Sequence, residues 1–308
     1  MSSVAPVPII LDVDTGLDDA LALVMAVRSP AVDLLAVSTV AGNVNVYKAT
    51  ANTLAVLHRL GADDIPVHRG ASRPLVEPIF DASHVHGVTG LGHAMLPESP
   101  NDIGPDRGPA AIIRMARQRP GEITLVCTGP LTNMAIALSV EPDIVSLLKR
   151  VVIMGGAFRT GGNVRPWAEF NIALDPDAAQ QVFEAPWPDI TAIGLDVTNR
   201  TIITPELYER LKLSTSADAQ LVAEIVRFTF ETRKVGQFSM HDPLALGVAI
   251  DPSFVTTELG KVELVIEAPE RGRTIFAEGK GNVKVALDVD VDRFVGDYAR
   301  IIGIDPSA

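Results

Sequence analysis

Residues Ile9–Val27 read IILDVDTGLDDALALVMAV. The run Val7–Val13 is nearly all apolar and β-branched apart from Asp12, the pattern of a strand buried on both faces. Gly16 permits a sharp turn. The apolar run after it, Asp19–Val27, has the length and composition of a helix. A buried strand that turns directly into a helix is the opening of a parallel β-α-β unit.

The same alternation continues outward from this stretch. Further strands are expected at Val32–Val40, Ile65–His68, Glu122–Cys127, Arg150–Met154 and Ile190–Leu195. Helices are expected at Val46–Leu60, Pro109–Arg117, Leu131–Leu138 and Pro176–Phe183. The fold class is therefore α/β, with a mostly parallel central sheet flanked by helices. The C-terminal third changes character. Pro205–Leu213, Ala217–Val235, Pro243–Ile250 and Asp292–Ile302 read as helices, whereas Lys261–Glu267, Arg273–Ala277 and Val283–Val289 read as a small antiparallel excursion. No internal repeat, low-complexity tract or long linker divides residues 1–308, so one domain is expected.

The net charge of −12 disfavours a nucleic-acid partner, because an acidic chain repels phosphates. The N-terminal MSSVAPVPII lacks a signal peptide's basic and apolar regions, and no apolar run reaches the ~18 residues of a membrane helix. A soluble cytoplasmic protein without membrane association is expected. The single cysteine, Cys127, follows an apolar run and reads as a buried small residue, not a nucleophile.

The chemistry is concentrated in DVDTGLDDA, Asp12–Ala20. Asp12 and Asp14 share one face of an extended chain, and Asp18 and Asp19 open the helix. Two carboxylates ~5 Å apart repel by roughly 3 kcal/mol at an effective dielectric of 20. Protonation or a bound cation must offset that repulsion. A dense set of oxygen ligands favours Ca²⁺ or Mg²⁺ over Zn²⁺. A helix cap at Asp18 and a dipole contact at Asp19 explain two of the four acids, but leave Asp12 and Asp14 without a reason. The D-x-D-x-T start is also similar to haloacid-dehalogenase-like phosphatases. Their later Lys and Gly-Asp-x-x-x-Asp-type motif are absent here.

The chain as a whole resembles the inosine–uridine-preferring nucleoside hydrolase family. DVDTGLDDALAL is similar to the family's D-x-D-P-G-x-D-D-A-x-A, with Thr15 in place of the usual Pro. The likeness continues through STVAGN to Asn43, HVHGVTGLG from His84, VCTGPLTN to Asn133, VIMGGAF, WAEFNIALDPDAA and MHDPLAL. The resemblance implies Ca²⁺-dependent hydrolysis of the N-ribosidic bond of a small-molecule ribonucleoside. It implies that Asp14 is the general base on a metal-bound water. Asp14, Asp19, Asp242 and the main-chain carbonyl of Thr128 match metal ligands. Asp18, Asn163, Glu169, Asn171 and Asp242 match positions around the ribose hydroxyls, and Asn43 and His86 match further pocket positions. His241 matches a residue near the leaving base. Asp12 is expected to support the cluster from outside. The resemblance also implies a homodimer or homotetramer.

This residue set suits the reaction. Cleavage of an N-ribosidic bond builds positive charge on the sugar, as in glycoside hydrolysis. A carboxylate completes the deprotonation of a water whose pKa a metal has lowered. A histidine is the natural donor to the departing base near neutral pH. A nucleoside- or ribose-binding protein without turnover would keep the sugar contacts and could dispense with the base. The preferred nucleobase depends on RFTFETRKVGQ, Arg227–Gln237, which offers Phe228, Thr229, Phe230, Arg233 and Gln237. Trp167 either walls the pocket or packs beside it. His58 and His68 carry no motif.

Overall fold

The computed structural model describes residues 5–80 and 82–305; the first four residues of the N-terminal stretch lie outside them. Strands β1 (Val7–Val13), β2 (Val32–Thr39), β3 (Val67–Arg69), β4 (Thr124–Cys127), β5 (Arg150–Met154) and β6 (Ile190–Ile193) occupy the expected places. Two short strands, β7 (Ile202–Ile203) and β8 (Phe238–Ser239), form a separate antiparallel pair. Strands β9 (Val255–Val265), β10 (Arg273–Glu278) and β11 (Val283–Val289) follow. The main sheet runs in the order β10-β9-β11-β6-β5-β4-β1-β2-β3. The antiparallel excursion is thus an edge of that sheet: β11 pairs parallel with β6 and antiparallel with β9.

Helices cover both faces. On one lie α1 (Leu17–Arg28) and α2 (Val46–Arg59). The short α3 (Ser83–His86) sits in the connection after β3. The opposite face is covered by α4 (Gly108–Gln118), α5 (Thr132–Val140), α6 (Ile144–Leu147) and α8 (Pro176–Glu184), with α7 (Phe170–Leu174) just before α8. The chain then returns to the first face with α9 (Leu195–Thr198), α10 (Pro205–Leu213), α11 (Ala217–Arg227), α12 (His241–Ile250) and α13 (Val291–Ile301). Two apolar clusters, one on each side of the sheet, make the core. Burial on both faces is why β1, β4, β5 and β6 read as unbroken apolar runs and not as alternating ones.

Three of the boundaries that differ from the sequence reading have a clear local reason. The expected helix Ala217–Val235 ends at Arg227, widens into a π-helical turn over Phe228–Thr232, and leaves helical geometry by Lys234, whose φ is 53°. Two aromatic anchors pull this segment in different directions: Phe228 packs edge-on against His93 at 5.0 Å, and Phe230 stacks on Tyr208 at 4.4 Å. The strand expected at Lys261–Glu267 begins at Val255, because residues 255–260 pair with β11 and residues 260–265 with β10. The strand expected to reach Leu195 stops at Ile193, because Gly194 caps α9.

β1 is the strand from which the chain winds both ways. β2 and β3 extend the sheet on one side, and β4, β5 and β6 on the other, all parallel. The loops leaving β1 and β4 therefore diverge to opposite faces and open a crevice at their carboxyl ends. In open α/β sheets, ligands bind in such a crevice.

The C-terminal α13 closes the first face with Phe294, which is fully buried against Gly247 of α12 and edge-on to Phe254 at 5.5 Å. Truncation there leaves a cavity that the neighbours fill only in part. We expect Phe294→Ala to lower stability by about 3–5 kcal/mol in urea denaturation. A loss below about 1 kcal/mol would mean that α13 is not part of the cooperative core.

Candidate active site

The carboxyl end of β1 delivers Asp12 and Asp14 to the crevice. The first turn of α1 adds Asp18 and Asp19, and the first turn of α12 adds Asp242. α1 starts with Gly16 as its N-cap, so Asp18 lies inside the helix and is not its cap. Asp19 takes the capping role: its carboxylate accepts the Gly16 N–H at 2.9 Å. It also accepts from the Asp14 N–H at 3.3 Å, the Thr128 hydroxyl at 2.9 Å and the Asn43 amide at 3.1 Å. Asp14 is held by Asn43. The Asn43 main-chain N–H reaches one oxygen at 2.6 Å and its Nδ2 the other at 3.1 Å. Gly42 makes this possible, since a Cβ there would stand 2.0 Å from an Asp14 oxygen.

Asp12 lies beneath. Asn133 donates to it at 2.7 Å, and to Ser38 Oγ and the Thr39 carbonyl at 3.1 and 3.0 Å. Its second oxygen is buried without a hydrogen-bond partner. Asn133 is a supporting residue that the sequence reading did not single out. Its only signal was its place at the end of VCTGPLTN.

One carboxylate oxygen from each of Asp18, Asp19 and Asp242 lies within 4.8 Å of the others. Asp18 Oδ1 is buried with no hydrogen-bond partner. Burial, then the Asp19 charge, pushes Asp18 up to about 7. Burial pushes Asp14 and Asp242 well above the usual carboxylate range, with Asp19 adding to the first and Asp18 and Asp19 to the second. Burial, with a smaller push from the Asp19 charge, raises Asp12 to about 7 against the hydrogen bonds of Asn133 and Ser38. Buried carboxylates that cannot all ionise, gathered around an unpartnered oxygen, fit a hard divalent cation. The first turns of α1 and α12 both point the positive ends of their dipoles into the cluster, which offsets part of its charge.

The cluster opens into a cavity of about 370 Å³. Its lining brings together Asp18, Asn43, His86, Thr128, Asn163, Glu169, Asn171, His241 and Asp242. Asp14 and Asp19 stand directly behind Asn43 and Thr128. The Thr128 carbonyl accepts from Asn171 Nδ2 at 2.7 Å. Glu169 caps α7 and accepts from the main-chain N–H groups of Gly156, Asn171 and Ile172 at 3.1, 2.9 and 3.1 Å; burial nevertheless raises it to about 7. Asn163 sits at the exposed rim and accepts the Phe170 N–H at 2.9 Å. Phe80, His84, Val164 and Phe170 complete the rim, and Thr229, Arg233, Val235 and Gln237 also line the cavity. Phe228, Phe230 and Trp167 do not.

His86 and His241 are neutral in the physiological range. Burial, with the charge of Arg233, lowers His86 to about 3, and burial lowers His241 to about 4. His86 Nδ1 accepts the Leu17 N–H at 3.1 Å, which leaves its ring proton on Nε2. His241 Nδ1 pairs with the Thr198 hydroxyl at 2.8 Å. Each ring acts as a neutral hydrogen-bonding group and not as a charged acid.

The fold and this corner define a hydrolase-type α/β site with a carboxylate cluster at its switch point. The sequence profile described as inosine-uridine preferring nucleoside hydrolase matches residues 9–296. An inosine-uridine preferring nucleoside hydrolase of Leishmania major is 37% identical over 300 residues, spanning 94% of this chain and 95% of that one. A pyrimidine-specific ribonucleoside hydrolase of Escherichia coli is 37% identical over 298 residues, with 94% of each chain covered. The solved structure of a plant nucleoside hydrolase superposes with a TM-score of 0.91 at 33% identity, covering 97% of this chain and 99% of that one. The chain belongs to the inosine-uridine preferring nucleoside hydrolase family. It is an N-glycosyl hydrolase that acts on small-molecule nucleosides, in a metal-dependent family. No helix among the described residues is long and apolar enough to cross a membrane.

The raised carboxylates fix a pH dependence. A carboxyl whose folded-state pKa lies above its unfolded value contributes stability at low pH that is lost as pH rises through the folded value. For Asp12, Asp18 and Glu169 that loss extends through about pH 7. The lowered histidines act in the opposite direction, but only below the unfolded His pKa of about 6.5. We therefore expect the Tm of chelator-treated protein to fall between pH 6.5 and 8.0, and added Ca²⁺ to raise it more at pH 8.0. A Tm that rises over this interval, with no response to Ca²⁺, would contradict the electrostatics described.

Proposed function

We propose that the chain hydrolyses the N-ribosidic bond of ribonucleosides with Ca²⁺ as its metal and Asp14 as general base. The observation that carries this reading is the convergence of Asp18, Asp19 and Asp242 within 4.8 Å, beside Asp14, at the floor of the cavity. Asp14, Asp19, Asp242 and the Thr128 carbonyl would hold the ion. Bound there, it supplies a lowered water pKa and a template for vicinal hydroxyls.

The protein groups supply the rest. Asp14 accepts the proton of the attacking water. Its raised pKa suits a base near neutral pH, and the two hydrogen bonds from Asn43 fix its orientation. Asp18, Asp242, Glu169 and Asn171 receive the ribose hydroxyls from the buried side, and Asn163 from the rim. The main-chain bonds to Glu169 and the Asn171 bond to the Thr128 carbonyl pre-set these groups before substrate arrives. His86, with its ring proton on Nε2, and His241 donate toward the departing base or stabilise it as neutral rings. Thr229, Arg233 and Gln237 line the cavity as polar partners for the base. The assembly is proposed to be a homodimer or homotetramer.

Incubation with uridine and inosine, assayed for reducing sugar, tests the reaction. Free ribose is expected from at least one of them. Calorimetric nucleoside binding with no ribose released would make the chain a binding protein. Asp14→Asn is expected to lower kcat by about 10²–10⁴-fold while retaining most of the nucleoside affinity, since an amide cannot accept the proton. Turnover within twofold of the parent would remove Asp14 from the base role.

The sugar site makes a separate prediction. A site built around buried acceptors for a hydroxyl rejects the analogue that lacks it by about 10⁴-fold. Uridine should exceed 2′-deoxyuridine by a ratio of that order in kcat/KM. Similar values for the two would withdraw the ribose contacts assigned to Asp18, Asn171 and Asp242.

A further inference from the structure

The cavity rim is built from two loops that leave different strands. The first, after β3, carries Phe80, His84 and His86; the second, residues 155–169 after β5, carries Asn163, Val164 and Glu169. Across the rim Phe80 of the first loop meets Phe170, the first residue of α7, edge-on at 5.4 Å between ring centroids. One weak aromatic contact, worth about 1 kcal/mol, does not order two loops. The second loop is further held by Asp196 and Thr274, and the first has an anchor outside the cavity, at the tip of the β9–β10 hairpin.

Arg271 sits at that tip, about four-fifths buried. Its guanidinium donates to the Glu77 carboxylate of the first loop, to the Asp177 carboxylate at the start of α8, and to the Ile266 carbonyl within the hairpin. Its own carbonyl accepts from Arg165 of the second loop at 3.2 Å. The next residue, Gly272, lies against α7, where an added Cβ would stand 3.0 Å from Ala173 Cα. The first loop is also tied at Leu75, whose N–H donates to Asp175 at 2.9 Å, but Glu77 lies closer in sequence to Phe80 and His86. The Arg271 side chain thus joins the first rim loop to the start of α8, and its main chain meets the second.

We propose that Arg271 is the positioning residue of the substrate pocket. Its guanidinium holds the first loop in its substrate-ready arrangement through Glu77, without touching substrate, while its main-chain carbonyl, which a substitution keeps, receives Arg165 of the second. A pocket populated in its competent arrangement for only a fraction of the time binds more weakly by that fraction, while the bound complex reacts as before. The effect of losing Arg271 therefore falls on KM. Calcium affinity is untouched, because the proposed ligands lie on α1, on α12 and just after β1 and β4, and the Arg271 partners are Glu77, Asp177, Ile266 and Arg165.

The kinetic readout rests on the nucleoside-hydrolase reading, so a second readout is independent of it. The variants are Arg271→Met, Arg271→Lys and, as a control, Arg28→Met, which removes a pair with Asp218 remote from the cavity. For Arg271→Met, KM for the best ribonucleoside should rise about tenfold with kcat changed less than about threefold. Calorimetric Ca²⁺ affinity should be unchanged. Subtilisin cleavage within residues 71–86, followed by mass spectrometry on native protein, should be faster. Arg271→Lys should recover part of both effects, and Arg28→Met should show neither. An unchanged KM and cleavage rate in Arg271→Met would overturn the proposal, as would a KM rise accompanied by an equal loss of Ca²⁺ affinity. If the parent releases no ribose, the functional reading fails and the cleavage rate alone decides: equal rates in parent and Arg271→Met overturn the positioning role.

Discussion

Mutual repulsion among buried carboxylates is the constraint on which the site depends. Asp12, Asp14, Asp19 and Asp242 are all almost wholly buried, and Asp18 joins them at the cavity floor. Neither solvent nor a basic side chain neutralises them: no Lys or Arg forms an ion pair with any of the five among the described residues. Each close pair costs roughly 3 kcal/mol at an effective dielectric of 20, so the cluster stands only with protons or a cation in it. An apolar corner would stabilise the fold better. Its retention is understandable only through chemistry that needs these acids together.

The fold absorbs this cost locally. Two helix N-termini converge on the cluster, and Asp12, Asp14 and Asp19 each accept a hydrogen bond from an amide, a hydroxyl or the main chain. Asn43 and Asn133 are central to this arrangement. Asn43 bridges Asp14 and Asp19, while Asn133 ties Asp12 to β2 and, through its Oδ1, accepts the Ala71 N–H at the start of the rim loop. Asp12 and the start of the first rim loop therefore share one asparagine. The winding of the sheet away from β1 in both directions leaves the room that this cluster needs.

Much of this was legible in the chain. The buried parallel strands announce themselves as apolar runs, and DVDTGLDD places four acids at one corner before any coordinates are known. Residues as far apart as Asn43, Thr128, Asn171 and Asp242 were assigned to one pocket by resemblance, and they do meet around one cavity. Three features were not legible. The π-helical turn at Phe228–Thr232 is set by contacts with His93 and Tyr208, which are remote in sequence. The neutrality of His86 and His241 follows from burial, which a motif does not reveal. Arg271 lies in a stretch, EAPERGR, that reads as an ordinary charged hairpin loop, and its partners are 94 and 194 residues away.

The central claim is that the carboxylate corner is proton-loaded without a cation and gives up those protons to one. Titration calorimetry of Ca²⁺ into chelator-treated protein at pH 6.5, in two buffers of different ionisation enthalpy, counts the protons released per ion. The account predicts tight binding with release of about one proton or more, because Asp18 and Asp242 are shifted toward their protonated forms in the cation-free site. Binding without proton release, or no binding at all, would contradict it.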